Sequence, residues 1–299
     1  MKQQRGVAIF LAVLIMVSAT ALIATMGVQY IGWRQARAFS QSSLQARWIE
    51  QGVQQWSQTV LLMERGPNKS NYDSLKSLWA KPLEKTSIGT FLYNEQSTEE
   101  WLQATYVEGS IVDVNRFLNW RDTLSMDTRG VHTWNYAYKL AFEKSMEQMN
   151  FAPSRIADIM TFWKSLFAEG RTIQFNCAAL QSYVTDKEWQ RLQEVARCSP
   201  WDWNLWSLNI NTADLVVLKS VLPSEIAQTI VTERQTKPYE SPQDAVARIA
   251  NLGKYWNETL TVQSNYFEIS TKVTVDGIST ESTIHYKVLP QRKVLFVVF

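Results

Sequence analysis

Residues that could do chemistry are few in this chain and stand far apart. The two histidines, His132 and His285, are separated by half the sequence. They read as a surface residue and a strand residue, not as a metal pair or the base of a triad. The two cysteines, Cys177 and Cys198, exclude a zinc site built mainly from thiolates. In an oxidising compartment they suit a disulfide bracing a helical region, and two buried thiols fit the same pattern. A nucleophilic cysteine needs an activating base, and the sequence places none beside either. Asp113, Asp122 and Asp127 offer carboxylates either for a cation or for capping loops. No Gly-x-Ser-x-Gly, Walker-type loop or His-Glu-x-x-His occurs. The reading therefore names no catalytic residue and no enzyme activity. Trp201, Trp203 and Trp206 form a cluster that serves either core packing or an exposed patch docking a neighbour.

The elements that position these residues begin with the N-terminus. Val7 to Ile31 is a run of 25 residues without a charged side chain. About 20 apolar residues suffice to cross a bilayer as a helix, which satisfies its own backbone. Tyr30 and Trp33 stand at its end, where amphipathic rings favour the membrane interface. Lys2 and Arg5 before it suit a cytoplasmic N-terminus, and Arg34 and Arg37 beyond it weaken that bias. The run is too long for the core of a cleaved secretory signal. After Trp33, Ala36, Phe39, Ser43, Ala46, Ile49, Val53, Trp56, Val60 and Met63 recur at helical spacing, up to a stop at Gly66-Pro67. One long helix and two consecutive helices both fit.

The remainder mixes strands and helices. Phe91 to Tyr93 reads as a short strand. Ala104 to Val107 and Ser110 to Val114 read as two more around Glu108-Gly109. Helical patterns follow over Trp134 to Met149, Pro153 to Phe167, Lys187 to Ala196, Leu215 to Leu222 and Ser224 to Thr232. Thr212 and Ser224 are the expected N-caps of the last two. Tyr266 to Val275, Asp276-Gly277 and Ser279 to Leu289 read as a hairpin, with Lys293 to Phe299 a last strand. The net charge of +2, from 30 basic and 28 acidic residues, exerts no strong pull toward nucleic acid. With 45% apolar residues the composition argues against wholesale disorder.

Arg5-Gly6-Val7, set directly before the long apolar run, resembles the processing site of type IV pilins and pseudopilins. The resemblance implies cleavage by prepilin peptidase between Gly6 and Val7 and N-methylation of Val7. Most members carry Glu five positions after the cut, where this chain has Leu11. A carboxylate in lipid is costly without a partner, and a subunit with nothing above it needs none. Within the family that departure is typical of protein K of the general secretion pathway. Phe151-Ala152-Pro153-Ser154 through Trp163, Leu208 to Ala213 (Leu-Asn-Ile-Asn-Thr-Ala) and Val262 to Phe267 resemble further stretches of that family.

The resemblance implies an α+β protein: a pilin-like fold with a long membrane-spanning N-terminal helix and an antiparallel sheet, interrupted by an inserted all-helical domain. Its divisions are a leader over 1–6, the helix over 7–65, pilin-like parts over 66–120 and 258–299, and the helical insert over 121–257. It implies a minor pseudopilin of the type II secretion system at the pseudopilus tip, helping to start assembly for export of folded periplasmic proteins. Its implied partners are minor pseudopilins I and J, with H and the major pseudopilin, besides prepilin peptidase and inner-membrane lipid. It would be single-pass in the bacterial inner membrane with the C-terminal domain in the periplasm. Family members bind calcium. The usual acidic stretch is replaced here by Ala168-Glu169-Gly170-Arg171, so no metal residues are assigned. A minor type IV pilin, or a membrane-anchored helix-hairpin-helix protein of DNA uptake, shares part of the pattern. Asn209 to Asp244 resembles a helix-hairpin-helix unit, yet its hairpin Val221 to Glu225 lacks glycine and carries a carboxylate. With only Lys219, Arg234 and Lys237 as cations, a structural or partner-binding role is expected and no nucleic acid.

Overall fold

The computed structural model describes residues 3–63, 72–93, 104–126, 132–167, 173–198, 207–256, 259–288 and 294–297. Helix α1 runs unbroken over Gln3–Met63, which resolves the two arrangements in favour of one rod, roughly 90 Å long at about 1.5 Å per residue. The sequence reason is local: the stretch holds no proline and is rich in Ala, Leu, Met and Gln. After α1 come β1 (Leu83–Ser87), α2 (Ile88–Tyr93), β2 (Tyr106–Asp113), β3 (Leu118–Asn119), β4 (Leu124–Met126) and β5 (His132–Trp134). Helices α3 (Tyr136–Gln148), α4 (Pro153–Phe167), α5 (Ile173–Tyr183) and α6 (Asp186–Val195) lead to β6 (Ala196–Arg197) and β7 (Leu208–Asn209). Helices α7 (Leu215–Val221), α8 (Ser224–Thr236) and α9 (Pro242–Arg248) precede β8 (Leu260–Thr261), β9 (Tyr266–Val275), β10 (Ile278–Val288) and β11 (Val294–Val297).

The main sheet has the order β1-β2-β9-β10-β11, with β1–β2 and β10–β11 antiparallel. β9 turns into β10 through Asp276 and Gly277, at φ of 50° and 80°. Positive φ at both central residues is what a two-residue hairpin matched to strand twist requires. Short parallel pairs join β3 to β6 and β7 to β8.

Two compact units are distinguished. The first comprises Met1–Gln54, Leu83–Gly109 and Thr271–Ser282. Its core sets Ala46 and Val53 of α1 against Ile88, Val107, Val273 and Val275. The second comprises Gln55–Pro82, Ser110–Ser270 and Thr283–Phe299. Here Val60 and Leu61 pack with Trp79, Phe267, Ile284 and Tyr286. Its larger core gathers the helices. α4 buries Ile156, Ile159, Met160, Trp163 and Leu166, an i, i+3, i+4 stripe. The Trp163 indole N–H donates to Thr123 Oγ1 at 3.0 Å, so this buried ring leaves no orphan donor. Thr185 and Glu188 form a capping box that starts α6.

Several sequence expectations are corrected. Phe91 to Tyr93 is the end of helix α2, not a strand. The two strands around Glu108-Gly109 are one continuous strand, β2, in which Gly109 still pairs with Leu83 across a shift in register. Ser224 is not an N-cap: Pro223 holds that position and Ser224 opens α8. Asp214, not Thr212, precedes α7. Helix α5 and the β4–β5 pair have no counterpart in the sequence reading. The apolar face assigned to α1 is also rotated. Ala46, Val53 and Val60 are buried, whereas Phe39, Trp56 and Met63 are exposed. Ser42, Gln54 and Ser57 turn inward instead. They are tolerated because polar partners wait there: Ser42 Oγ donates to Asp276 at 3.0 Å and Gln54 Nε2 to Ser282 Oγ at 3.0 Å.

Candidate interaction sites: an exposed stalk and a buried polar knot

Gly6 and Val7, the expected processing site, and Leu11, which stands where a Glu is usual, lie in the backbone of α1. Further along, the helix is bare. Among the described residues it is the one helix long and apolar enough to cross a membrane. Val13 to Ile31 is exposed throughout. The exposure continues past the uncharged run: Trp33 is 58% and Trp48 72% accessible, with Leu44 between them. This stripe lies opposite the inward face of Ser42, Ala46 and Val53, as the helical period of 3.6 dictates. A large apolar stripe left in the open marks a membrane or partner contact.

The second site is its chemical opposite and lies wholly in the second unit. Asp113 closes β2 and is 1% exposed. Its Oδ1 caps the turn beyond it by accepting the Asn115 N–H at 2.8 Å. Its Oδ2 accepts from Ser264 Oγ at 2.6 Å, from Asn209 Nδ2 at 3.2 Å and from the Thr212 hydroxyl. Asp73 Oδ2 accepts the Ser264 N–H at 2.7 Å, while Asn209 Nδ2 also reaches the Asp73 carbonyl at 3.2 Å. Asn115 Oδ1 accepts the backbone N–H groups of Asn265 and Tyr266 at 3.0 and 3.1 Å. Asn211 trades two hydrogen bonds with the backbone of Tyr239. Arg234 donates to the carbonyls of Ile210 and Ala213, and Arg116 grips both oxygens of Asp214. The Leu208–Ala213 segment is thus sewn to the end of β2 and to the entry of β9.

Electrostatics follow from this burial. Loss of water raises the Asp113 carboxyl to about 6, against the pull of its Ser264 and Thr212 donors. Burial likewise raises Asp122 to about 7 and lowers the Arg234 guanidinium to about 10. Glu188 goes the other way, held at about 2 by the two-pronged Arg155 contact and the Thr185 cap.

The structure places the remaining candidates apart. Cys177 in α5 and Cys198 after β6 are disulfide-bonded, 21 positions apart with Cα atoms 6.1 Å distant. His132 sits in β5 against Phe167. His285 sits in β10 opposite Val297, and burial lowers its pKa. Asp122 lies in the turn before β4. Trp201, Trp203, Trp206, Asp127, Gly66-Pro67 and Ala168 to Arg171 lie outside the described residues. Among the described residues no group of three or more His, Cys, Asp or Glu converges on a metal-sized site. Arg234 is committed inward and Lys237 pairs with Glu240 at 3.2 Å, which thins the basic stripe of the α7–α8 unit further. Sequence reasoning missed Asp113 as a hub. The available signal was a lone carboxylate ending a β-branched run two positions before Asn115.

A long bare helix, an antiparallel sheet on its distal part and an additional helical region together define the pilin-like class. Residues 208–263 match the model of the family described as Type II secretion system (T2SS), protein K. The fold is similar to that of a chain in the crystal structure of the GspK-GspI-GspJ complex from the enterotoxigenic Escherichia coli type 2 secretion system. That likeness has a TM-score of 0.62 at 14% identity and covers 86% of this chain and 96% of the other. No curated protein sequence matches. The stretch similar to the protein K family is the one that ties the polar knot.

Proposed function

We propose that this chain is a tip subunit of the pseudopilus, cut by prepilin peptidase between Gly6 and Val7 and methylated on Val7. The observation that carries this reading is the protein K match over 208–263. The apolar run of α1 is inserted in the inner membrane, with the C-terminal part in the periplasm. There the disulfide between Cys177 and Cys198 is at home. Lateral contacts between the Leu44 and Trp48 part of the α1 stripe and the helices of minor pseudopilins I and J start the assembly, which H and the major pseudopilin extend. Leu11 in place of the usual Glu leaves the lipid-facing helix without a charge needing a neighbour above it, which suits the last position of a fibre. The chain works by assembly and carries no catalytic residue. The complex named in the similar structure, GspK with GspI and GspJ, supports the choice of partners.

The experiment is co-purification of the full chain with minor pseudopilins I and J of the same secretion system from detergent-solubilised membranes. Recovery of a three-protein complex is expected, and its loss on Leu44→Arg with Trp48→Arg. Recovery of the chain alone under conditions that preserve an I–J complex would refute the assignment.

A further inference from the structure

Helix α1 places Tyr30, Trp33, Arg34 and Arg37 at i, i+3, i+4 and i+7, so the four share one face. All four are exposed. The Arg34 guanidinium carbon lies 5.9 Å from the Tyr30 ring centre, and that of Arg37 5.4 Å from the Trp33 ring centre. Among the described residues neither arginine meets a carboxylate. The same face continues inward through Met26 and Ile23, both widely exposed. It therefore grades within about four turns from apolar, through aromatic, to cationic.

Cations just beyond a membrane run on the far side from the leader oppose the inside-positive bias. Their placement calls for a local anion, and the bilayer supplies one at this depth. A guanidinium fork matches a phosphate diester, and a ring beneath it restricts where the fork can point. We propose that this face binds the phosphate of anionic phospholipids in the periplasmic leaflet, with Arg34 and Arg37 as ligands and the acyl chains lying along Met26 and Ile23. Free phosphate lacks those chains and gains nothing from the apolar half of the face. The proposal rests on the membrane reading given under Proposed function.

The test is native mass spectrometry of the full chain released from vesicles of phosphatidylcholine containing a minor fraction of phosphatidylglycerol, with alkaline-carbonate extraction run in parallel. Phosphatidylglycerol is expected to be retained over phosphatidylcholine by about thirtyfold, from two near-surface cation contacts. The double variant Arg34→Gln, Arg37→Gln should reduce that preference to about twofold or less, while Arg47→Gln keeps it. Equal retention of both lipids by an inserted wild-type chain would overturn the proposal, as would a preference that survives the double substitution. Displacement of the lipid by excess inorganic phosphate would assign the ligand as the free ion and overturn it too. If the wild-type chain is extracted by carbonate from every vesicle, the membrane reading falls with it. Insertion without lipid preference defeats the lipid proposal alone.

Discussion

Helix α1 leaves Trp33 and Trp48 in the open, while the knot around Asp113 hides Asn209, Thr212 and Ser264 completely. The two regions depart from ordinary burial in opposite directions, and each departure has its own physical cause. An exposed ring on a lone helix is stable in an environment that supplies its contacts from outside, whether lipid or a neighbouring helix. A buried carboxylate is stable where donors from several strands surround it. The stalk is therefore specified by what it will meet, and the knot by what it already holds. Their responses to substitution should differ accordingly.

The largest effect is expected at the centre of the knot. Asp113→Ala removes an acceptor of the Ser264 and Thr212 hydroxyls, of the Asn209 side-chain amide and of the Asn115 N–H. It should cost about 3 kcal/mol or more, read as a lowered denaturant midpoint of the full chain in detergent. An unchanged midpoint would show that the knot is not a stabilising element. Next comes the disulfide. Cys177→Ser with Cys198→Ser removes the cross-link and should cost about 3 kcal/mol in the same measurement under oxidising conditions, with no effect under reduction.

A smaller effect concerns pH. The Asp113 carboxyl is raised to about 6 in the folded chain, above the roughly 3.9 of an unfolded Asp. The folded state therefore binds the extra proton between those values, and this group's contribution to stability falls as pH rises through the window. Acidification from pH 7 to 5 should make wild type gain about 1 kcal/mol relative to Asp113→Asn. Asp122 acts in the same direction, and His285, whose pKa is lowered, acts oppositely. Both are common to the two proteins and cancel in the difference. A difference with the other sign would refute the buried charged hub. The smallest effect on stability belongs to the stalk. Trp48→Gln should shift the midpoint by no more than about 0.5 kcal/mol, while weakening recovery of the complex with I and J. Val53→Ala, one helical turn on but facing inward, should cost about 1 to 2 kcal/mol instead.

Helix α1 was largely legible in the sequence, because a helix long and apolar enough to cross a membrane is written as an uncharged run of adequate length, here between Val7 and Ile31. So was the β9–β10 hairpin, whose Asp276-Gly277 turn stands between two alternating runs. The inward face of α1 was misread because hydrophobicity alone decides no side when Ser42 and Gln54 find partners far along the chain, at Asp276 and Ser282. The knot was legible only as a motif. Leu208 to Ala213 stood out as a string of small polar and apolar residues, but Thr212 looked like a helix cap. Its actual acceptor, Asp113, lies 99 positions away. Local pattern cannot announce an acceptor that tertiary folding delivers. Helix α5 escaped because Ile173 to Tyr183 mixes polar and apolar residues without a clean stripe.

That α1 is a processed membrane stalk is the central proposal. The direct measurement is the intact N-terminus of the chain, determined by mass spectrometry after expression with and without prepilin peptidase. A chain beginning at methylated Val7 only when the peptidase is present is the result expected. Retention of Met1 to Gly6 in both preparations would contradict it.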